Sequence, residues 1–408
     1  MSADDDRAGR HGRHRGDIGP TNSRHAVRRT VQVVAAVLSA LLFVGFGYGF
    51  YNYNNLTSNQ HKIEIGGLGA STPTPGASNT TVQHVNGSAE NILIVGLDSR
   101  AGLTNKQKRY YKVGLSDEST STDTIIVVHV PANGKKATLL SIPRDTYVTI
   151  PGHPSNKINA AYIDGYMYGG GTTTDQDEAN GASLLVQTVK NLTGLQIDHY
   201  VQVGFSGFVN IVKAIGSVPI DLCQSVDDTY QHNRAIGGSG GSGFKMSAGP
   251  HDLTPQQALE FVRQRHNIPG PVTDDLGREA RQRYFLKQAF NKIATAGVLL
   301  NPFKLKHLIS AVDSAFTFDN NNFGILQFAE QMSQLTAGNI SGKSIPTTGD
   351  SVIGGQDVLT ADTSAVHAFA HRLFYGTHHH SSAPKSGTKT GTKKKATGGD
   401  PAASGCIY

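Results

Sequence analysis

The chain has 408 residues, a formal net charge of +6 and two cysteines with no C-x-x-C pair. The basic residues concentrate toward the two ends, where solvated tails explain them. No nucleic-acid-binding motif accompanies this charge, so we expect no nucleic-acid partner.

An uncharged, mostly apolar run, Val31 to Tyr51, follows Arg24, Arg28 and Arg29. About 20 helical residues cross the ~30 Å hydrocarbon core of a bilayer. We therefore predict a transmembrane signal-anchor at 31–53, with residues 1–30 cytoplasmic and the rest of the chain outside the cell membrane. The alternative is a cleaved signal peptide, whose apolar region is shorter and ends at a small-x-small site. Aromatic residues and asparagines follow here instead.

Three further segments follow the anchor. Residues 54–89 are dominated by Ser, Thr, Pro, Gly and Asn, which predicts a disordered linker. Residues 90–375 are long enough for one extracellular domain with a C-terminal helical part, and 376–408 read as a low-complexity tail. In an oxidising exported compartment Cys223 and Cys406 can form an intramolecular disulfide, and two free thiols are the alternative.

Within this domain, apolar runs of strand length alternate with helical patterns. The predicted strands are 91–97, 124–130, 137–142, 199–205 and 218–222, with a hairpin turn at 131–134. The predicted helices are 181–192, 207–215, one starting at the capping box of Thr254 and Gln257, 278–296, 303–315, 323–335 and 361–374. This order predicts an α/β fold with a central mixed β-sheet flanked by helices on both faces.

Two partial matches to motifs of nucleotide-binding proteins and serine hydrolases lack the residues or the context that those motifs require. Ser341 to Ser344 ends like a P-loop, but Ala337 replaces the required glycine and no apolar strand precedes it. The G-x-S-x-G match at 237–241 lies in a glycine tract rather than between a strand and a helix.

Two carboxylates stand beside predicted strands. Asp98 directly follows the first strand and Asp123 directly precedes the second. If these strands are antiparallel neighbours, the two side chains converge; if they are parallel, their nearby ends need not coincide. A pair of hard oxygen ligands suits Mg²⁺, which also takes water and phosphate oxygens. The alternative is that both carboxylates cap turns or pair with arginine.

Several arginines lie near strand and helix ends. Arg263 and Arg265 are two positions apart, so they converge only if the chain is extended there, whereas Arg278 and Arg281 share a helical face. Arginine binds phosphate bidentately, and a group of arginines beside a metal suits a polyanion such as pyrophosphate. Taken singly, each arginine is more often half of a surface ion pair. The set comprises Arg100, Arg144, Arg263, Arg265, Arg278 and Arg281.

An ordered set of short motifs over about residues 90–290 resembles the LytR-CpsA-Psr family of cell-wall glycopolymer ligases. The motifs are Gly96-Leu97-Asp98-Ser99-Arg100, Ser121-Thr122-Asp123-Thr124, Ser141-Ile142-Pro143-Arg144-Asp145-Thr146, Lys157-Ile158-Asn159-Ala160, Arg263-Gln264-Arg265, and Asp275 with Arg278, Arg281 and Gln282. A membrane anchor followed by an outside domain is also that family's plan. The resemblance implies a Gram-positive host and transfer of a glycopolymer from a polyprenyl-pyrophosphate carrier to peptidoglycan.

The resemblance also implies roles for the residues that match its motifs. Asp98 and Asp123 are expected to hold Mg²⁺ against the pyrophosphate. Asp145 and Asp275 are expected to orient arginines or to take the acceptor's proton. The residues expected to grip or surround the pyrophosphate are Arg144, Arg263, Arg265, Arg278 and Gln282, with Arg100, Arg281, Lys157 and Asn159 nearby.

Some interpretations stay open at this point. The stretch 103–120 is longer than this family leads us to expect, and it suits a mobile lid or an acceptor-binding loop. The apolar faces of helices 181–192, 207–215 and 284–296 form core by default, and a lipid channel between them is a hypothesis. The alternative functions are a polyprenyl-pyrophosphate phosphatase and a non-catalytic lipid- or wall-binding protein. A transcriptional attenuator is disfavoured, because the 30 residues before the anchor show no DNA-reading helix.

Overall fold

The computed structural model describes residues 61–69, 89–115, 120–229, 241–265, 274–295, 308, 310, 316–320, 339–376 and 405–408. The predicted cytoplasmic tail, the predicted anchor at 31–53 and most of the predicted helices at 303–315 and 323–335 lie outside these residues. Among the residues described, none of the helices combines the length and apolarity needed to cross a bilayer.

The described chain contains strands and helices in alternation. The strands are β1 (His61–Ile63), β2 (Glu90–Leu97), β3 (Thr122–Val130), β4 (Ala137–Ser141), β5 (Tyr147–Val148), β6 (Asn156–Lys157), β7 (His199–Val203), β8 (Val218–Leu222), β9 (Val226–Asp227), β10 (Lys245–Met246), β11 (Gly249–Leu253), β12 (Phe316–Asp319), β13 (Ile340–Ser344), β14 (Gly349–Ile353) and β15 (Gln356–Thr360). The helices are α1 (Asn105–Tyr110), α2 (Ala160–Tyr168), α3 (Thr174–Thr193), α4 (Phe205–Ile215), α5 (Pro255–Arg263), α6 (Asp274–Thr295) and α7 (Thr363–Tyr375).

The principal sheet is mixed, with strand order β1-β12-β7-β2-β3-β4-β13. Strand β2 runs antiparallel to β3 and parallel to β7, and β3 runs antiparallel to β4. The predicted fold class of a central mixed sheet flanked by helices is therefore confirmed.

Both faces of the central strands are covered, which explains their continuous apolar sequences. In β2, Leu93 and Val95 pack with residues of α2, α3 and α7, whereas Ile92 packs on the opposite face, where Phe290 of α6 also lies. A second core joins α4, α5, α6 and the β8–β11 strands.

The structure corrects three segment boundaries. Within the predicted disordered linker, His61–Ile63 forms β1 and pairs in parallel with β12. Ile63 and Ile65 are buried in the core, and their period-2 spacing with exposed Lys62 and Glu64 is the strand signal. The prediction of disorder there was wrong because the surrounding Ser, Thr and Pro residues obscured a short edge strand.

At the other end, the low-complexity prediction fails for the last four residues. Ile407 is buried and bridges Leu222, and Cys406 lies in a disulfide with Cys223. The predicted C-terminal helical part is also incomplete: α7 agrees with the predicted helix at 361–374, but the described residues between 316 and 360 form β12–β15.

Candidate functional site

Strands β2 and β4 end, and β3 begins, at one edge of the principal sheet, and this edge carries the predicted carboxylates. Leu97 of β2 pairs with Thr122 of β3, and the Asp98 amide donates to Ser121 O at 3.1 Å. Strand β4 ends at the same edge because Ser141 pairs with Ile126. The antiparallel β2–β3 pairing thus brings Asp98 and Asp123 to one edge, as the antiparallel alternative required.

A β-bulge positions Asp123. Gly96 pairs with Thr124 but Leu97 pairs with Thr122, so Asp123 is the extra residue in β3. A bulge re-aims the side chain of the extra residue. The chains approach closely at position 96, where a Cβ would lie 3.0 Å from Thr124 Cβ and the neighbouring strand would have to shift.

Ion pairs link the candidate residues in a chain. Arg144 Nη1 lies 2.6 Å from Asp123 Oδ1, and Arg265 Nη2 lies 3.5 Å from Asp123 Oδ2. Asp145 accepts from Arg144 Nε at 3.3 Å and from Lys157 Nζ at 2.8 Å. We call the eight residues of this region the arginine cluster: Asp98, Arg100, Asp123, Arg144, Asp145, Lys157, Arg263 and Arg265.

Arg100 belongs to the same edge. Its Nη2 lies 2.9 Å from Asp98 Oδ2, and both side chains are largely buried. Asn159 is tied in through its backbone, since its amide donates to Arg144 O and its carbonyl accepts from Thr122 Oγ1.

The end of α5 explains how two arginines two residues apart converge. The helix starts at the predicted capping box and ends at Arg263, and Gln264 adopts an extended conformation with ψ 129°. Arg265 therefore turns toward Asp123 instead of pointing away from Arg263. Burial lowers the pKa of Arg263, opposed by the charge of Asp98 and reinforced by Arg100 and Arg265.

The arginine cluster carries an excess of positive charge. Five cationic side chains face three carboxylates, and most of the eight are partly exposed. An excess of cations in a partly dehydrated setting attracts a polyanion strongly. Both carboxylates at the adjoining strand ends pair with arginine, as the alternative drawn from the sequence held. Their oxygens are also hard donors of the kind that suits a Mg²⁺ whose shell is completed by water and phosphate. In the part of the chain described, no group of three or more His, Cys, Asp or Glu residues could by itself hold a metal.

The predicted site residues of α6 are not part of the arginine cluster, and two of its arginines are buried in the interior. Arg281 is fully buried, with its Cζ 5.6 Å from the centre of the Phe261 ring. Burial lowers its pKa to about 10, opposed by the charge of Asp228. Arg278 is buried too, and Gln282 Nε2 donates to Val262 O at 3.3 Å. The Asp275 side chain lies outside the described residues.

Sequence reasoning missed residues that hold Arg263 in place. Arg263 Nη1 and Nη2 donate to Tyr111 O and Lys112 O at 3.4 and 3.3 Å. Its Cζ lies 5.4 Å from the centre of the Phe205 ring, a cation–π geometry. Phe205 follows β7 at the same sheet edge, and its amide donates to Ser99 O at 3.0 Å. Phe205 is the last residue of the predicted strand 199–205, so a search of the ends of the predicted strands would have found it.

The described part of the long stretch 103–120 packs against the second core. Leu103, Tyr111 and Val113 are buried there. Residues 116–119 are outside the described part.

Comparison with known proteins identifies the family. The sequence model of the LytR_cpsA_psr family matches residues 51–374 of the chain. The chain belongs to this family. The resemblance inferred from the short motifs is therefore confirmed.

Two of the curated relatives that the chain matches are named for work on the cell wall. The chain is 36% identical over 299 residues to the cell wall biosynthesis protein LcpA of Corynebacterium glutamicum, covering 69% of this chain and 55% of LcpA. It is 33% identical over 207 residues to the polyisoprenyl-teichoic acid–peptidoglycan teichoic acid transferase TagU of Oceanobacillus iheyensis, covering 51% of this chain and 52% of TagU. The chain thus spans about half the length of these curated relatives.

Solved structures of other proteins share the fold. TagV of B. subtilis aligns with a TM-score of 0.51 at 22% identity, over 71% of this chain and 99% of TagV. TagT bound to LIIa-WTA aligns with a TM-score of 0.52 at 18% identity, over 76% of this chain and 97% of TagT.

Proposed function

We propose that this family member is a transferase that moves a glycopolymer from a polyprenyl-pyrophosphate carrier to peptidoglycan during cell-wall assembly. The observation that carries the proposal is the arginine cluster, in which cations outnumber carboxylates at a single sheet edge. The relatives named as cell-wall biosynthesis proteins and teichoic acid transferases support it.

The proposed reaction is a phosphotransfer. An acceptor hydroxyl oxygen on peptidoglycan attacks the sugar-bearing phosphorus, and the bond from that phosphorus to the bridging oxygen breaks. Polyprenyl phosphate leaves with the bonding electron pair, and the hydroxyl proton passes to a base. Such a transfer depends on positioning and charge neutralisation more than on covalent help from the protein. Arg144, Arg263 and Arg265 supply the neutralising charge.

Asp145 is best interpreted as a positioning residue. Its carboxylate accepts from Arg144 Nε and Lys157 Nζ, so its two oxygens hold two cations at the site. This favours the orienting role over the role of general base. Asp275 then remains the carboxylate proposed for the acceptor's proton.

We infer that Mg²⁺ binds at Asp98 and Asp123. When bound, the metal would neutralise charge on the pyrophosphate. The two aspartates offer the hard oxygen donors that Mg²⁺ prefers, and substrate phosphate would complete the set.

The proposed substrate also bears on where the protein lies in the cell. A lipid-linked donor sits in the membrane, so we propose that residues 31–53 anchor the chain with the catalytic domain outside the cell. In that oxidising compartment the Cys223–Cys406 disulfide joins the last residues to the second core. Thiol labelling of the denatured protein is expected to modify neither cysteine before reduction and both afterwards; labelling before reduction would contradict this disulfide in the cell.

The test is a transfer assay on the purified full chain. A polyprenyl-pyrophosphate glycan is incubated with a peptidoglycan acceptor, with Mg²⁺ or with a chelator, and the glycan is followed. Glycan on the acceptor is the expected result. Free glycan phosphate would instead identify a phosphatase, and unchanged donor a binding protein.

Two variants test the metal assignment. Asp98→Ala and Asp123→Ala are expected to lose transfer by about 10²-fold or more and to lose the Mg²⁺ dependence of what remains. Asp227→Ala is the matched control, because the exposed Asp227 side chain pairs with the exposed Lys245 outside the arginine cluster. Full transfer in either test variant would refute the assignment.

A further inference from the structure

Residues 103–115, which we call the basic segment, form a surface beside the arginine cluster that the proposed chemistry does not use. The segment contains four basic residues and no acidic one. Asp117 and Glu118 follow it, so the excess of positive charge persists even when they are included.

The basic segment has an inner and an outer side. Leu103, Tyr111 and Val113 pack into the second core. The outer side exposes three cations together with two large apolar side chains. These residues are Lys106, Arg109, Tyr110, Lys112 and Leu115, with Tyr110 and Leu115 59% and 52% exposed.

The conformation of the segment is fixed. A capping box of Thr104 and Gln107 starts α1. Lys112 has a positive φ of 52°, which costs free energy for a residue with a side chain and persists only where the surroundings impose it. Lys112 Nζ also lies 3.4 Å from Glu260 Oε1. The outer side is therefore presented in one arrangement.

The segment is attached directly to the arginine cluster. Arg263 donates to the carbonyls of Tyr111 and Lys112. Gly114, two residues further along, packs beside Arg100, since a Cβ built on it would lie 3.6 Å from Arg100 Cζ. Whatever touches the basic segment is thus within a side chain's length of the residues proposed to bind pyrophosphate.

We propose that the basic segment docks on the anionic headgroups of the membrane surface. Exposed lysine and arginine attract anionic lipid, and an exposed tyrosine with an aliphatic neighbour suits the boundary between headgroups and acyl chains. A soluble wall polyanion would satisfy the cations but leave Tyr110 and Leu115 in water. This inference rests on the proposed function: docking would hold the arginine cluster at the depth of the headgroups, where the pyrophosphate of a lipid-linked donor lies.

The chain contains no tryptophan, which permits a single-tryptophan test. The full chain is placed in nanodiscs of phosphatidylcholine alone or mixed equally with phosphatidylglycerol, with brominated acyl chains as quencher. Tyr110→Trp is expected to show blue-shifted, quenched emission in the anionic discs. Val352→Trp, at a position on the β14–β15 hairpin that is 67% exposed, is expected to show neither effect.

Charge variants sharpen the test. In the Tyr110→Trp background, Lys106→Ser and Arg109→Ser are each expected to lower the docked-to-undocked ratio about fivefold, and added salt to act in the same direction. Both residues are exposed, so folding is expected to be unchanged by circular dichroism.

Several outcomes would overturn the proposal. They are absence of quenching in Tyr110→Trp, equal quenching in Val352→Trp, or an emission shift produced by soluble teichoic acid but not by anionic discs. The transfer assay separates this proposal from the proposed function. Transfer without quenching refutes docking alone, whereas quenching without transfer refutes the transferase alone.

Discussion

Two polar clusters lie at opposite edges of the same sheet, and they differ in what their charges contact. In the arginine cluster, carboxylates meet arginine and lysine side chains that are partly exposed. At the far edge, side chains bind backbone groups and one another in the interior. We call that group the far-edge cluster: Asn91, His129, Asp198, His199 and Asp319.

The far-edge cluster closes strand ends. Asp319 Oδ2 accepts from the Tyr200 amide at 2.8 Å, and Asp198 Oδ2 accepts from the Asn91 amide at 2.8 Å. Asn91 Oδ1 also accepts from His129 Nδ1 at 2.8 Å. A buried carboxylate that accepts a hydrogen bond from a backbone amide stabilises the fold. Cations that outnumber the neighbouring carboxylates at a solvent-accessible site can instead attract an anionic ligand. The comparison therefore favours a structural role for the far edge and, under the proposed function, a binding role for the arginine cluster.

The largest effect that tests this comparison is expected for Arg144→Ala. Arg144 touches both Asp123 and Asp145, and removing one group that stabilises developing charge costs about 10²–10³-fold in rate. Transfer should fall by this factor. Arg144→Lys should recover only part of it, since lysine keeps the charge but loses the planar donor geometry.

Arg372→Ala is the control for loss of an arginine, because Arg372 is exposed on α7. Its transfer rate should equal that of the parent chain. Equal rates for Arg144→Ala and the parent would remove the arginine cluster from the proposed mechanism.

Asp319→Asn tests the far edge. Asp319 is fully buried, and a hydrogen bond to a charged group contributes about 1.5–3 kcal/mol. We expect the free energy of unfolding, from urea denaturation, to fall by about that amount. Transfer per folded molecule should stay unchanged, and the exposed Asp350→Asn should change neither quantity. Loss of transfer with unchanged stability would mean that Asp319 has a functional role and that the far edge is not purely structural.

A smaller effect is expected for Gly96→Ala, which tests the bulge. The added Cβ would contact Thr124 Cβ at 3.0 Å and displace the chain around Asp123. We expect transfer to fall about tenfold through mispositioning and stability by about 1 kcal/mol. Gly66→Ala is the matched control, because its Cβ would meet nothing nearer than Ser183 Oγ at 3.6 Å. An unaltered rate in Gly96→Ala would show that the bulge does not set the position of Asp123.

The arginine cluster was largely predictable because its residues follow or precede strands with strong apolar patterns. Asp98 and Asp123 flank β2 and β3, and antiparallel neighbours bring those ends together. Asp145 was predicted to orient arginines, but its ion pair with Lys157 was not predictable, because Lys157 reaches it through the short β5–β6 pairing.

The far-edge cluster was not predictable at all. Its members come from positions between 91 and 319, and none sits in a motif. Asp319 ends β12, a four-residue strand that depends on β1 and β7 for its pairing. Such a strand has too few residues to show a period of its own, so only the assembled sheet brings Asp319 to His199.

The smallest expected effect distinguishes two histidines of the far-edge cluster by the sign of their pH dependence. Burial works to lower the pKa of His199, but the hydrogen bond and charge of Asp319, with Glu90 and Asp198, raise it above 6.5 overall. Its contribution to stability is then complete below pH 6.5 and is lost as the pH rises through the folded-state pKa. Burial lowers the pKa of His129 below 6.5, so its environment costs stability as the pH falls below 6.5.

Urea midpoints of the parent, His199→Gln and His129→Gln, measured between about pH 5 and pH 8, test these signs. His199→Gln should flatten the decline above pH 6.5, and His129→Gln should flatten the decline below it. Burial also raises the pKa values of Glu90 and Asp198, but from 4.5 and 3.8, so the alkaline window reports chiefly on His199. Identical profiles for the two variants would mean that Asp319 does not hold a charged His199, and the far edge would then depend on backbone hydrogen bonds alone.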